Sequence, residues 1–126
     1  MPHLNEEATQ IFKDLIARLG DADYVKLDSG RGYAPLSIDR LGENEYAMAH
    51  NHIQNGDVMA DPDMEFKVVD GEVFPLTYQN DNVGIFNQCT GRDGTVDQTV
   101  QKAMADFANT WMSNLKKQQL CKAEAL

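Results

Sequence analysis

The residues with the clearest chemical potential lie in the run HNHIQNGDVMADPDMEF, positions 50–66. His50 and His52 are two positions apart, so on a β-strand both imidazoles would point to the same face of a sheet. Imidazole nitrogens bind transition metals, and Asp63 and Glu65 on the adjoining strand could complete such a site. Because HxH is common by chance and nothing fixes the remaining ligands, we expect no metal and no cofactor. These four residues stay as the alternative metal site.

The second candidate is the segment NGDVMADP, positions 55–62, which we predict to be an eight-residue loop between two strands. An Asn-Gly pair adopts positive backbone angles at little cost, and long loops carry function more often than short ones. Apolar residues at its tip either pack back on the sheet edge or form a contact surface. A separate glycine-rich loop, positions 28–35, contains Arg31, whose guanidinium group could bind an anion. The binding candidates in these loops are Asn55, Asp57, Met59, Asp61 and Arg31.

Two helices enclose the part of the chain that carries these candidates. Over positions 4–19, apolar residues recur every three or four positions, Asn5 can cap the start, and Gly20 can end the helix. A second helix is predicted over 95–119, with Thr95 as its N-cap and Gln98 three positions later as a capping-box partner. Its apolar stripe, which includes Phe107 and Trp111, is expected to lie in the core.

The hydrophobic period changes to two between the helices. Six strands are predicted near 23–28, 35–41, 45–54, 63–69, 73–79 and 83–89. The connections are too short for parallel crossovers, so neighbouring strands should pair antiparallel as a meander. We therefore predict a two-layer α+β fold in one domain, residues 1–126, with a sheet of five or six strands and both helices packed on one face.

The turn at Asp70 and Gly71 bears on the register of the sheet. We predict a three-residue loop over 69–71, in which Phe66 faces Phe74. This register places the apolar side chains of both strands on one face, as burial demands. A two-residue loop would instead place Lys67 beside Phe74. Which face holds the histidines stays open, because Tyr46 and Met48 alternate with small residues, Ala47 and Ala49.

Composition limits the classes of function. The net charge is −9 over 126 residues, so we do not expect direct binding to nucleic acid. The same charge would suit an acidic inhibitor that mimics nucleic acid. No apolar run approaches the roughly 20 residues of a membrane helix. Cys89 and Cys121 form no CxxC pattern and no signal peptide is evident, which favours a soluble protein of the cytoplasm.

One part of the chain resembles a known type of domain. The run QNGDVMADPDMEF, followed about ten residues later by PLTYQND, is similar to small bacterial and phage-borne domains of unknown function. These carry an N-G-D-[LV]-M-A-D-P-[DE]-M segment. The resemblance covers positions 33–88 and extends to the closing helix. It implies a bacterial, phage or mobile-element origin, and it transfers no catalytic residue because the family has no assigned activity.

Three functions follow from these patterns. The sequence identifies no activity, and it favours a non-enzymatic binding or accessory module that engages a protein or small ligand through the polar sheet face and the 55–62 loop. The first alternative is a metal-dependent, hydrolase-like enzyme that uses His50, His52, Asp63 and Glu65. The second is the acidic mimic of nucleic acid. Self-association as a homodimer is a further option.

Overall fold

A computed structural model describes residues 2–28, 35–54, 57–81, 84–91 and 94–120, with the backbone alone at 51–54, 57–61 and 119–120. Six strands lie between two helices in the order of the chain. They are α1 (Glu6–Ile16), β1 (Tyr24–Leu27), β2 (Leu36–Gly42), β3 (Glu45–Gln54), β4 (Asp57–Val69), β5 (Glu72–Asn80), β6 (Ile85–Gln88) and α2 (Gln98–Leu115). A 3-10 turn at Ala17–Leu19 extends α1, and a π-helical segment at Lys116–Leu120 extends α2.

All six strands form one antiparallel sheet in the order β1-β2-β3-β4-β5-β6. The predicted meander is confirmed, and so is the α+β fold with an N-terminal and a C-terminal helix. Each pairing joins strands that are neighbours in the chain, because connections this short cannot carry a strand across its neighbour.

Helix α1 begins and packs as its sequence predicts. The side-chain oxygen of Asn5 accepts the backbone N–H of Ala8 at 2.7 Å, which satisfies one of the free donors of the first turn. Phe12 is fully buried and meets Tyr46 and Phe66 edge to face, with ring centroids 5.9 and 5.1 Å apart. These two partners lie on β3 and β4, so α1 covers the middle of the sheet.

Helix α2 begins later than predicted. Its N-cap is Asp97 rather than Thr95, and the Asp97 carboxylate accepts the backbone N–H groups of Thr99 and Val100. A carboxylate at this end also interacts favourably with the helix dipole. The buried stripe of α2 is displaced from the predicted one: Gln101 is buried and donates to the carbonyl of Pro75, whereas Phe107 is 38% exposed.

The register assigns one set of side chains to the helices. Ile38, Met48 and Met64 are cross-strand neighbours on β2, β3 and β4, and all three are fully buried. Because side chains alternate along a strand, the residues between them point to the other face, which no described helix covers. We call that second face the open face.

The hairpin between β4 and β5 differs from the prediction. Val69 pairs with Glu72, so the loop is the two residues Asp70 and Gly71, both with positive φ (51° and 81°). Lys67 therefore does stand opposite Phe74. A bulge then places one extra residue, Leu76, in β5, since Phe66 pairs with Pro75 while Glu65 pairs with Thr77. Beyond the bulge, Met64 pairs with Tyr78, so apolar side chains again share one face. The turn preference of Asp70 and Gly71 thus set the length of the loop, and the extra residue in β5 kept the apolar side chains on one face.

The predicted eight-residue loop over 55–62 is also corrected. Strand β3 extends to Gln54 and β4 begins at Asp57, so only positions 55–56 separate two long paired strands. The pairing register shifts between Ala49 and Asn51, where β4 contains one additional residue. The run DVMADP is therefore strand with a bulge, because an Asn-Gly pair can close a hairpin by itself.

Candidate functional site

His50 and the two predicted carboxylate ligands, Asp63 and Glu65, lie on opposite faces of the sheet. His50 shares its face with Met48, and its ring meets Trp111 of α2 edge to face at 5.7 Å between centroids. Asp63 pairs with Ala49, the neighbour of His50, and so points to the open face together with Glu65. The structure brings the two carboxylates together and does not bring His50 to them. Among the described side chains, no three His, Cys, Asp or Glu residues gather to hold a metal ion.

For several other candidates from the sequence, the structure does not describe the side chain. Arg31 and Asn55 lie outside the described residues, and for four further candidates the backbone alone is described: His52, Asp57, Met59 and Asp61. Those four belong to the distal part of the β3–β4 hairpin. The site is therefore built from the described side chains of the open face.

Carboxylates border the centre of the open face. Asp39 of β2 stands opposite Ala47 of β3, which in turn stands opposite Glu65 of β4. In the next row, Ser37, Ala49 and Asp63 are cross-strand neighbours in the same way. Small side chains thus form the floor between acidic residues. Sequence reasoning named Asp63 and Glu65 but missed Asp39, although its period-two position in β2 was a usable signal.

The carboxylates of this face repel one another. The pKa of Asp63 is raised above its ordinary value of 3.8, first because burial removes water from the carboxylate, and then because Glu65, Asp39 and Asp81 bring negative charge near it. Such an arrangement favours any positive charge that approaches the open face. It is an electrostatic property of the folded sheet, since Asp39, Asp63 and Asp81 come from three different strands or strand ends.

The centre of the open face consists of small side chains, and aromatic residues lie at its two edges. Ala49 and Ser37 are 7% and 8% exposed although no described helix covers this face. At the β1 edge, Tyr24 is 51% exposed and its hydroxyl lies 3.3 Å from the Ser37 hydroxyl. At the β6 edge, Phe86 stands beside Gln79 and is 59% exposed.

A separate groove lies on the helix side of the sheet, between α2 and the last two strands. Its volume is about 290 Å³. Phe107 forms one wall, and its ring meets Tyr78 edge to face at 5.1 Å. The lining residues are mostly apolar: Tyr78, Asn87, Val100, Ala103, Met104 and Phe107.

The described thiol is not poised for nucleophilic chemistry. Cys89 is 2% exposed, and its sulfur donates to the carbonyl oxygen of Pro75 at 3.4 Å. Burial raises the pKa of this thiol, and the charge of Asp97 raises it further, which keeps the sulfur protonated at neutral pH. Cys89 therefore acts as a small core residue.

Comparisons with known proteins give a family and no activity. A family model described as "Domain of unknown function (DUF6908)" matches residues 8–121. No match was found among curated proteins or among solved structures. None of the described helices is long and apolar enough to cross a membrane.

Proposed function

The chain belongs to the DUF6908 family of domains of unknown function, and from that premise we propose that it is a non-enzymatic binding module. The open face of its sheet holds the basic surface of a protein partner. The observation that carries the proposal is the set of carboxylates, Asp39, Asp63 and Glu65, around a floor of small residues on a face that no described helix covers.

Charge complementarity supports a cationic partner. Burial raises the pKa of Asp63 first, and the negative charge of Glu65, Asp39 and Asp81 raises it further, so a lysine or arginine from the partner would stabilise the ionised carboxylate. The net charge of −9 adds a long-range attraction that speeds the encounter with a basic protein. This interaction should weaken as salt screens the charges.

The shape of the open face supports a protein partner. The low floor at Ala47 and Ala49 lets a partner's side chains reach the carboxylates. Tyr24 and Phe86 are exposed at opposite edges, where aromatic rings can stack on a guanidinium group. Exposed aromatic residues are also typical anchors of protein interfaces.

A binding role is better supported than catalysis. His50 packs beneath α2, on the opposite face from Asp63 and Glu65, so its imidazole does not meet these two carboxylates. The metal-dependent enzyme therefore has less support than the module. The resemblance of positions 55–64 to segments of bacterial and phage domains supports a bacterial, phage or mobile-element origin. The absence of a CxxC pattern at Cys89 and Cys121 supports a role in the cytoplasm.

The test measures binding of a nine-residue oligo-arginine peptide by calorimetry at low and at physiological salt. The face variant combines Asp39→Asn, Asp63→Asn and Glu65→Gln. The matched control combines Asp14→Asn, Asp21→Asn and Glu7→Gln, which removes the same charge from exposed positions near α1. We expect the face variant to bind at least about tenfold more weakly than the control. Equal losses in both variants would show general attraction to an acidic protein and reject the proposal.

The acidic mimic of nucleic acid makes its own forecast on the same face. If the natural partner is a nucleic-acid-binding protein, duplex DNA should displace the chain from it, because both would occupy one basic surface. A partner that binds DNA and the open face simultaneously would exclude mimicry and leave the binding module intact.

A further inference from the structure

Strand β6 forms one end of the sheet and has a free edge among the described residues. It pairs with β5 on one side, and the sheet order ends with it. The backbone N–H of Cys89, just after β6, donates to the carbonyl of Leu76 on β5. Because the direction of backbone groups alternates along a strand, the N–H and C=O groups of Phe86 and Gln88 point away from β5.

This edge is short, at four residues, but it lacks the other features that usually protect a sheet edge. Natural edges carry charged residues, proline or a bulge that prevents another strand from pairing. The four residues of β6 are Ile, Phe, Asn and Gln, and Ile85 and Phe86 are 43% and 59% exposed. By contrast, the opposite edge strand, β1, contains Lys26.

The groove between α2 and β6 lies directly beside the free edge. Asn87 of β6 forms one side, and Ala103 and Phe107 of α2 form the other. Both helix residues are exposed in the structure, although the sequence predicts Phe107 to lie in the core. A strand added to the edge would direct alternate side chains into this groove.

Acidic residues flank both ends of the edge. Asp81 follows β5 at the end where Asn80 pairs with Ile85. Asp97 lies at the other end, where its backbone N–H donates to the carbonyl of Cys89. The cation on this side of α2, Lys102, is 3.1 Å from Asp106 and is thereby compensated. Among the described residues, the edge is therefore uncharged along β6 and has a carboxylate near each end.

We propose that the β6 edge and the α2–β6 groove together bind an extended segment of a partner protein as a seventh strand. The segment pairs its backbone with Phe86 and Gln88, seats an apolar side chain between Asn87 and Phe107, and carries lysine or arginine at its ends. Strand addition of this kind takes affinity from main-chain hydrogen bonds and specificity from a pocket for alternate side chains. The proposal uses the backbone edge of β6 and the helix side of the sheet. It shares Phe86 with the open face, which uses the ring of that residue and not its backbone.

The probe is an array of nine-residue synthetic peptides with lysine at both ends and Leu, Ile, Val or Phe alternating with Thr in the centre. Binding to the full chain is measured by fluorescence anisotropy. The best peptide is then resynthesised with single N-methyl groups at each central position. We expect N-methylation to weaken binding about tenfold at every second position, since only alternate N–H groups face β6.

Two variants of the protein locate the binding. Phe86→Pro removes an N–H that points away from β5, so the sheet is retained while the edge is blocked. Ala103→Trp fills the groove from an exposed helical position. Each should weaken the best peptide at least about tenfold. Phe86→Ala is the matched control for the first variant, because it removes the same ring and retains the N–H, and it should bind more tightly than Phe86→Pro. Circular dichroism confirms that each variant is folded.

Several outcomes would overturn the proposal. They are an array without any binding peptide, equal effects of N-methylation at all central positions, and unchanged binding in both Phe86→Pro and Ala103→Trp. A homodimer in sedimentation that Phe86→Pro dissociates would also overturn it, because a second copy would then occupy the edge.

Discussion

His50 and Asp63 lie on opposite faces of the sheet, although they belong to paired strands and were two of the four candidates for one metal site. His50 packs edge to face with Trp111, 5.7 Å between ring centroids, whereas Asp63 shares the open face with Glu65. The imidazole of His50 therefore packs in the contact between β3 and α2, and the carboxylate of Asp63 contributes negative charge to the open face.

Replacement of His50 by alanine should lower stability without changing any response to metal. The variant loses an aromatic contact and leaves space beneath α2, which should lower the free energy of unfolding by about 1–3 kcal/mol in urea titrations. Addition of Zn²⁺ should shift the melting temperatures of wild type and variant equally. His3→Ala is the control, because His3 also meets an aromatic ring, Phe74, but its side chain is 39% exposed and should contribute less. Zinc stabilisation confined to the wild type would instead support the metal site.

Replacement of Asp63 by asparagine should stabilise the protein at neutral pH. The pKa of Asp63 is raised in the folded state, so between its ordinary value of 3.8 and the raised value the folded protein binds more protons than the unfolded chain. Stability conferred by this group therefore falls as pH rises through that window. Asp63→Asn should add up to about 1 kcal/mol at pH near 7, the scale of interactions between partly exposed charges.

The measurement for Asp63 is a series of urea titrations across this pH window. The gain of the asparagine variant over wild type should shrink as pH falls through the raised pKa of Asp63 and should be smallest below 3.8, where Asp63 is protonated in both states. Asp14→Asn, an exposed position on α1, is the control and should give no comparable gain. A gain at neutral pH that persists unchanged at low pH would contradict the electrostatic explanation.

Replacement of Gly71 by alanine should destabilise the β4–β5 hairpin. Gly71 has φ of 81°, and a Cβ there would lie 3.7 Å from the end of the Lys13 side chain, so the cost arises from the backbone and not from a clash. A left-handed conformation costs an L-residue roughly 1–2 kcal/mol, which should appear as a lower urea midpoint. Gly42→Ala is the matched control: its φ is not positive and a Cβ would have open space, so stability should hardly change. Equal losses in both variants would refute the turn argument.

Local patterns predicted most of the elements and some of their ends. The apolar stripe of α1 and its cap at Asn5 depend on residues within one or two turns, and both are present in the structure. The start of α2 was predicted two residues early, because Thr95 and Asp97 are both good caps and local sequence does not choose between them. The predicted length of the β4–β5 loop was wrong, because the bulge at Leu76 lets a two-residue turn coexist with an apolar register.

The sequence by itself determined the six strands, their meander order and the two helices, since periodicity and short connections act between near neighbours. Only the tertiary structure decided which face of β3 lies beneath the helices. Tyr46, Met48 and His50 point one way, and Ala47 and Ala49 point the other. The helices cover the first set because Tyr46 and Met48 remove far more apolar surface from water than two alanines can. His50 follows them into contact with Trp111, and the small residues are left as the floor of the acidic open face.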